Sequence, residues 1–253
     1  MKRLVSLLAL AALTYLAACA YLFFGQRSFL YFPTTEAHPP DATALSLSVD
    51  GETLRLWKSG TDTPEAILYF GGNAEDVSGN LSGFVAAMPD KAIYLVNYRG
   101  YGGSTGKPSE SAFYRDALAE YDWLLQKHQH VSVIGRSLGT GVATCVAAAR
   151  KVDKLVLVTP FDSIVNVAKK SYRIFPVSLL LKDRFDSASR VSQITARTLV
   201  LVAEHDEVIP RESSDALIAR FPAGQATVVV FKGASHNTIS ESPEYARLLS
   251  RFL

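Results

Sequence analysis

The second half of the chain carries a serine in a setting that suits acyl transfer. Ser137 is the central residue of the segment 135–139, Gly-Arg-Ser-Leu-Gly, which directly follows a short apolar run at residues 131–134. A Gly-x-Ser-x-Gly pattern between a strand and a helix is typical of a sharp turn that exposes a nucleophilic hydroxyl. We therefore predict that Ser137 is a nucleophile. The alternative is a serine that caps a helix between two ordinary glycines.

A serine hydroxyl is a weak nucleophile, so it needs a base that an acid orients. His236 follows the last apolar run of the chain and is the preferred base. His205 is disfavoured because it lies on the same loop as the candidate acids and cannot easily face them. Three carboxylates on that loop compete for the role of the acid: Glu204, Asp206 and Glu207.

Attack on an acyl carbon places negative charge on its oxygen, and two backbone N–H groups should meet that charge. Leu138, the residue after the serine, is predicted to supply one donor. The second is expected from the turn that follows the apolar run at residues 66–70, with Asn73 preferred and Gly72 as the alternative. A plain turn is the remaining interpretation. No Gly-Lys-Ser/Thr follows, which argues against a phosphate-binding loop.

The elements that would position these residues alternate between strand and helix. An alternating segment with Asp50-Gly51 at its centre predicts an opening β-hairpin. Six apolar runs, with amphipathic segments between several of them, follow at residues 66–70, 92–96, 131–134, 154–158, 198–202 and 227–231. This order predicts a mostly parallel sheet of about eight strands with helices on both faces. Ligands of such sheets bind beyond the carboxyl ends of the strands.

The N-terminal segment is predicted to attach the protein to a membrane. Lys2 and Arg3 precede an apolar run of 21 residues, 4–24. As a helix this run is roughly 31 Å long, close to the ~30 Å hydrocarbon core of a bilayer. The basic start favours a cytoplasmic N-terminus and a catalytic domain on the periplasmic or extracellular side. We therefore divide the chain into an anchor, residues 1–27, and a catalytic domain, residues 28–253, joined by an extended connector at residues 26–40.

A lipoprotein signal is the competing interpretation of the same segment. Residues 16–19, Leu-Ala-Ala-Cys, resemble the lipobox of bacterial lipoproteins, in which the cysteine is lipidated, so Cys19 is a candidate lipidation site. The apolar run continues past Cys19, whereas a lipoprotein usually has a polar tether there. An uncleaved single-pass anchor is therefore favoured, and either alternative makes membrane lipid a partner. The mass of the mature N-terminus separates the two.

Composition limits the other classes of partner and cofactor. The formal net charge is +2 and no long Lys/Arg run occurs, which argues against nucleic acid as a partner. The two cysteines, Cys19 and Cys145, lie in an anchor and in a predicted core helix, so we expect no disulfide. No Cys/His cluster has zinc-ligand spacing, and we predict neither a metal nor a cofactor.

Three motifs resemble one subgroup of the α/β-hydrolase superfamily. They are residues 97–109 (Asn-Tyr-Arg-Gly-Tyr-Gly-Gly-Ser-Thr-Gly-Lys-Pro-Ser), 135–141 and 160–163 (Pro-Phe-Asp-Ser). The subgroup includes membrane-anchored bacterial and fungal hydrolases and eukaryotic α/β-hydrolase-domain depalmitoylases, and the resemblance covers roughly residues 29–253. It implies the α/β-hydrolase fold and an esterase or thioesterase that acts on an acylated small molecule, lipid or protein.

The resemblance also assigns residues. Asp206 becomes the preferred acid because residues 206–210 match the family's D-x-V-x-P, so the implied triad is Ser137, Asp206 and His236. The family's His-Gly-Asn oxyanion turn reads Gly-Gly-Asn here, at residues 71–73. Residues 163–193 fall where the fold inserts a lid, and they form either a lipid-facing or acyl-binding surface or ordinary helices packed on the sheet. An aminopeptidase-like amide hydrolase and a non-catalytic interaction protein are the rival functions.

Overall fold

The apolar runs of the sequence form one eight-stranded sheet in the computed structural model, which describes residues 1–253. The strands are β1 (Thr43–Val49), β2 (Glu52–Ser59), β3 (Glu65–Phe70), β4 (Ala92–Val96), β5 (His130–Arg136), β6 (Lys154–Val158), β7 (Arg197–His205) and β8 (Ala226–Ser235). Their order in the sheet is β1-β2-β4-β3-β5-β6-β7-β8. Only the β1–β2 and β2–β4 pairs are antiparallel, so the predicted mostly parallel sheet of about eight strands is confirmed.

Local sequence explains both the antiparallel and the parallel parts. Asp50 and Gly51 at the hairpin turn have φ values of 50° and 77°, as a tight two-residue turn with positive φ requires. The central strands β3, β4 and β6 are buried along nearly their whole length. Strands of this kind read as continuous apolar runs because helices cover both faces of the sheet.

Eight helices accompany the sheet. They are α1 (Lys2–Leu30), α2 (Leu81–Ala87), α3 (Glu110–Leu124), α4 (Leu138–Ala149), α5 (Ile164–Ser171), α6 (Val177–Leu180), α7 (Arg211–Ile218) and α8 (Pro243–Phe252). Ser109 and Ser163 accept hydrogen bonds from backbone N–H groups at the starts of α3 and α5, and so cap orphan donors there.

The sheet separates two hydrophobic cores. The larger contains Phe113 and Tyr121 of α3 and Val142 of α4, all with at most 1% of their surface exposed. The smaller contains Phe84 of α2 and Leu249 of α8. Burial of each such side chain contributes about 1.5–3 kcal/mol. The resulting three layers hold the carboxyl ends of β3 to β8 as a rigid edge.

Helix α1 differs from its prediction at its C-terminal end. Residues 26–30 were expected to be extended, but the helix continues to Leu30. The first proline of the connector is Pro33, so nothing in the sequence stops the helix earlier. Gln26 and Arg27 also bond to a distant segment, residues 180–183. Tertiary contacts thus extend the helix beyond the predicted boundary.

The N-terminal part of α1 is exposed and largely apolar. Residues 2–17 are all exposed, and the helix is long and apolar enough to cross a membrane. An apolar helix with no covering in the protein needs another apolar environment. Helix α1 is therefore suited to act as a membrane anchor.

Candidate active site

Ser137 lies on a strained turn between β5 and α4. Its φ and ψ are 49° and −118°, a backbone region that residues with side chains rarely adopt. A Cβ atom at Gly135 would lie 2.7 Å from Ala143 Cβ, and one at Gly139 would overlap the carbonyl oxygen of Phe70. The two glycines of the motif therefore allow the elbow to sit against α4 and the end of β3, which holds Ser137 at the edge of the sheet.

The structure brings Ser137, His236 and Asp206 into one chain of hydrogen bonds. His236 Nε2 lies 2.9 Å from Ser137 Oγ, and Nδ1 lies 2.9 Å from each carboxylate oxygen of Asp206. The backbone N–H groups of Val208 and Ile209 donate to Asp206 Oδ1 at 2.9 and 2.7 Å. Such an arrangement can take a proton from a hydroxyl and stabilise the imidazolium that results.

The other candidates on the loop of Asp206, which are Glu204, His205 and Glu207, have different neighbours. Glu204 accepts a hydrogen bond from the Gly233 N–H, and Glu207 accepts one from the His236 N–H. The side chain of His205 is 70% exposed, with Glu204 at 3.7 Å as its charged neighbour. Of the three candidate carboxylates, Asp206 is the one in contact with the imidazole ring of His236.

The turn at residues 71–73 lies directly beside the serine. A Cβ atom at Gly72 would be 3.6 Å from Ser137 Cβ. The N–H of Gly72 already donates to the carboxylate of Glu75, so Gly72 is not available as an oxyanion donor. The N–H of Asn73 has no acceptor within the protein. Leu138 is the first residue of α4, so its N–H also lacks an intrahelical acceptor.

A buried ion pair supports the turn and was not foreseen from the sequence. Glu75 and Arg136 are 3.0 Å apart, and their side chains are 10% and 14% exposed. Tyr69 and Asn80 each donate to Glu75 Oε1 at 2.6 Å. Arg136 also donates to the carbonyl of His236 at 3.4 Å. The pair therefore links the oxyanion turn, the serine elbow and the histidine loop.

Burial and neighbouring charges together set the pKa of Arg136 and of Tyr69, which contacts Glu75. Burial lowers the pKa of Arg136, but the charge and hydrogen bond of Glu75, together with Tyr69 and Tyr245, outweigh that effect and hold the pKa above its usual value. Burial and then Glu75 raise the pKa of Tyr69, so its hydroxyl keeps the proton that it donates. No sequence signal marked the pair, because Arg136 is a variable position of the Gly-x-Ser-x-Gly motif.

The side chain of Asn73 ties the end of α1 to the oxyanion turn. Asn73 Nδ2 donates to the Leu30 carbonyl at 2.6 Å, and Asn73 Oδ1 accepts from the Phe32 N–H at 3.1 Å and from the Tyr101 hydroxyl at 2.8 Å. These bonds fix the side chain of Asn73 and so hold the turn at residues 71–73 in place. The C-terminal end of α1 and the turn at residues 71–73 are thus in direct contact.

Residues 163–193, here called the lid segment, begin at the same edge of the sheet, after β6. The segment contains α5 and α6 and packs against the C-terminal half of α1 through a bidentate pair of Arg27 with Asp183 at 2.8 and 3.1 Å. Cys19 of α1 is buried. The lid segment is therefore bonded to the anchor as well as to the catalytic domain.

Comparisons with known proteins agree with this architecture. A family model described as the alpha/beta hydrolase fold matches residues 66–176, and one described as serine aminopeptidase, S33, matches residues 180–243. An uncharacterized protein of Mycobacterium tuberculosis is 32% identical over 251 residues, which cover 93% of this chain and 89% of the relative. Alpha/beta hydrolase domain-containing protein 17B of Xenopus laevis is 30% identical over 198 residues, 74% of this chain and 65% of that protein.

Solved structures show the same fold at low identity. The esterase Pf2001 of Pyrococcus furiosus superposes with a TM-score of 0.73 at 16% identity, over 88% of this chain and 98% of its own. Est1E of Butyrivibrio proteoclasticus, solved with ferulic acid, gives a TM-score of 0.64 at 16% identity, over 82% and 95% of the two chains. The sheet and the two family models together identify the chain as a hydrolase. The chain belongs to the α/β-hydrolase superfamily, as its motifs implied.

Proposed function

We propose that this hydrolase cleaves esters or thioesters through an acyl intermediate on Ser137. The observation that carries the proposal is the unbroken chain of 2.9 Å contacts from Ser137 Oγ through the His236 ring to the Asp206 carboxylate. All three side chains are largely buried. A buried site strengthens the electrostatic interactions on which acyl transfer depends.

In the first half-reaction, Ser137 Oγ attacks the acyl carbon while His236 Nε2 takes the hydroxyl proton. The backbone N–H groups of Leu138 and Asn73 hold the negative oxygen of the tetrahedral intermediate. The intermediate collapses to acyl-Ser137, and the leaving alcohol or thiol takes the proton from His236. Asp206 keeps the imidazole in the required tautomer and stabilises its positive charge.

The second half-reaction repeats these steps with water as the nucleophile. His236 takes a proton from the water, whose oxygen attacks the acyl carbon of acyl-Ser137. Collapse releases the carboxylic acid, and the proton returns from His236 to the Ser137 oxygen. The same two N–H groups stabilise both intermediates, so one oxyanion hole serves both steps.

A fluorophosphonate probe tests the nucleophile directly. We expect the probe to label the full-length protein at Ser137, and we expect Ser137→Ala to abolish labelling. Ser189→Ala, which removes an exposed serine outside the site, serves as the matched control and should label like the natural chain. Labelling that persists in Ser137→Ala, or that never occurs in the natural chain, contradicts the proposal.

An aminopeptidase-like amide hydrolase is the second candidate, favoured by the match of residues 180–243 to the serine aminopeptidase model. Recognition of a free amino terminus requires a carboxylate that is free to bind it. Glu204 and Glu207, the spare acids near His236, are already bonded to backbone N–H groups. We therefore favour the esterase, and we expect p-nitrophenyl esters to be hydrolysed much faster than aminoacyl anilides.

We further propose that α1 stays uncleaved and holds the catalytic domain on the periplasmic or extracellular side of a membrane. The basic residues Lys2 and Arg3 before an exposed apolar helix support this orientation. Lipidation of Cys19 is the alternative. Mass spectrometry of the mature N-terminus decides between them, because a diacylglycerol-modified Cys19 as the first residue would exclude the uncleaved anchor.

A further inference from the structure

Helix α1 and the lid segment line a partly open apolar cavity that the mechanism does not use. The cavity has a volume of about 120 Å³, and ten of its eleven lining residues are hydrophobic. Those that form opposite walls are Leu22, Phe29 and Leu30 of α1 and Ile164, Ala168 and Phe175 of the lid segment. An engineered apolar cavity of roughly 150 Å³ stays dry and binds benzene, so this one is large enough for a short stretch of hydrocarbon.

Gln26, the one amide of the lining, has no free hydrogen-bonding atom to offer a ligand. Gln26 Nε2 donates to the carbonyls of Phe23 and Leu180, and Gln26 Oε1 accepts from the Lys182 N–H at 2.6 Å. Apart from the hydroxyl of Tyr172, the side chains of the walls offer a polar ligand no hydrogen-bond partner to replace its hydration. The chemistry of the walls therefore selects an apolar occupant.

The cavity also lies close to the candidate site. The carbonyl of Leu30, which lines the cavity, accepts a hydrogen bond from Asn73, whose N–H is the proposed oxyanion donor. Ile164, on the opposite wall, is the first residue of α5 and follows the carboxyl end of β6 closely. The cavity thus adjoins two segments that flank the edge of the sheet that carries Ser137.

The dimensions of α1 place this cavity at the membrane surface. Residues 4–17 of α1, all of which are exposed, span about 21 Å as a helix, roughly 9 Å short of a ~30 Å hydrocarbon core. The missing length must come from residues 18–24, against which the lid segment packs. Tyr15 stacks on Phe175 with ring centroids 5.8 Å apart and donates to the carbonyl of Ile174. The lid residues beside α1 therefore enter the hydrocarbon.

The outer surface of the lid segment carries residues that suit contact with the hydrocarbon of a bilayer. Ile174 and Leu179 are 75% and 82% exposed, which is unfavourable in water but favourable in lipid. Lys169 and Arg173 are exposed near them, and cations at this level bind anionic headgroups while their stems cover apolar surface. The apolar tip and its basic border have the chemistry of a membrane-inserted surface.

We propose that the cavity between α1 and the lid segment binds an acyl chain that enters from the bilayer, so that the substrate is a membrane-borne ester or thioester. The proposal rests on the proposed serine hydrolase activity. It assigns the lid segment the role of presenting lipid-embedded acyl chains to Ser137, and it assigns α1 a role in substrate binding beyond that of a tether.

The first experiment fills the cavity in the full-length protein. Ala168→Leu and Ala168→Phe add increasing volume to its wall, and Ala216→Phe makes the same change on the exposed face of α7. We expect Ala168→Phe to lower kcat/KM for p-nitrophenyl palmitate at least tenfold and for p-nitrophenyl acetate less than twofold, with Ala168→Leu between. Ala216→Phe should change neither. Equal effects on both substrates, or none, would overturn the acyl site.

Fluorophosphonate labelling keeps the two proposals distinguishable. Labelling of Ser137 in both Ala168 variants shows that they fold and keep their site. If the natural chain is labelled and hydrolyses the acetate, but its chain-length preference is unchanged by Ala168→Phe, only the acyl site fails. If the natural chain neither labels nor hydrolyses either ester, the proposed function itself fails.

A second experiment measures the depth of the lid segment. The two native cysteines are replaced, and a nitrobenzoxadiazole fluorophore is attached to Ile174→Cys or, as the control, to Ala216→Cys, with the protein in phosphatidylcholine vesicles. We expect blue-shifted emission at position 174 that spin-labelled lipid quenches, and unquenched, water-like emission at position 216. Water-like emission at both positions would overturn entry from the bilayer.

Discussion

The carboxyl edge of the sheet and the interface of α1 with the lid segment are built on opposite principles. At the edge, Ser137, His236 and Asp206 are fixed by short hydrogen bonds, and the buried pair of Glu75 with Arg136 braces the surrounding loops. At the interface, apolar side chains surround a cavity and cover the outer face. Chemical groups are held rigidly, whereas the surface that would select the substrate offers shape and hydrophobicity only.

This difference predicts that substitutions in the two regions have different kinetic effects. Changes at the edge should slow hydrolysis of short and long esters alike, because every acyl group passes through the same transition state. Changes at the interface should alter the preference for chain length and leave the chemical step intact. The comparison fails if a substitution at the edge proves selective for chain length.

Ser137→Ala is expected to have the largest effect. Loss of the nucleophile should lower kcat by about 10⁶-fold, leaving the residual rate that the oxyanion hole and binding supply. The loss should be equal for p-nitrophenyl acetate and p-nitrophenyl palmitate, measured under the same detergent conditions. A variant that keeps more than about one per cent of the activity would remove Ser137 from the mechanism.

Asp206→Asn comes next. The amide cannot stabilise the imidazolium and favours the wrong tautomer of His236, so kcat should fall by about 10⁴-fold with little change in the fold. Glu204→Gln, on the same loop but bonded to the Gly233 N–H, is the matched control and should retain most of its activity. If Glu204→Gln is the more damaging change, the assignment of the acid is wrong.

Glu75→Gln should have a smaller effect on the same step. The neutral amide leaves Arg136 buried without its partner and loosens the Gly72 turn. We expect kcat to fall about tenfold, less than the 10²–10³ that follows direct removal of an oxyanion donor, while KM stays nearly constant. Glu212→Gln breaks an ion pair with Lys170 on the exposed surface and should be silent. A change confined to KM would mean that Glu75 acts on substrate binding instead.

Glu120→Gln should change the stability of the fold without affecting either the edge of the sheet or the interface of α1 with the lid segment. Glu120 of α3 is 1% exposed, and neither of its carboxyl oxygens has a partner. Burial, and then the charge of Asp116, raise its pKa well above the ordinary value. The folded protein therefore holds this proton more tightly than the unfolded chain does, and stability falls as pH rises above the ordinary pKa of glutamate, about 4.3.

The expected result is that Glu120→Gln gains stability relative to the natural chain, by an amount that depends on pH. Relative to the natural chain, Glu120→Gln should become more stable by up to about 1.4 kcal/mol per pH unit within that window, with kcat unchanged. Thermal unfolding from about pH 5 to about pH 9 measures it. A stability difference that is independent of pH would show that Glu120 does not titrate on unfolding.

Much of the fold was predictable because its signals are local. Apolar runs of four or five residues marked β3 to β8, and Asp50-Gly51 marked the hairpin turn. Ser137, Asp206 and His236 could be named because each directly follows a strand, and parallel strands end at one edge. The choice of Asp206 over Glu204 and Glu207 needed a family motif, since all three lie on one loop.

Contacts between distant side chains left no such trace. Nothing in the sequence paired Glu75 with Arg136, and that pair explains why Gly72 cannot serve as an oxyanion donor. The bonds of Gln26 and Arg27 to the lid segment extended α1 through residues expected to be extended. These contacts join residues more than 50 positions apart, and no periodicity in the sequence indicates them. In addition, Arg136 occupies a position of the Gly-x-Ser-x-Gly motif that accepts any residue.

The packing of Gly139 against the carbonyl oxygens of Phe70 and Gly71 has a practical consequence for redesign. Gly139 packs directly against the backbone, so that even the methyl group of an alanine there would overlap the carbonyl oxygens of Phe70 and Gly71. Libraries aimed at new selectivity gain little from Gly135 and Gly139. Diversity should be introduced in residues 164–181, where walls made of side chains can be reshaped while the reacting groups stay in place.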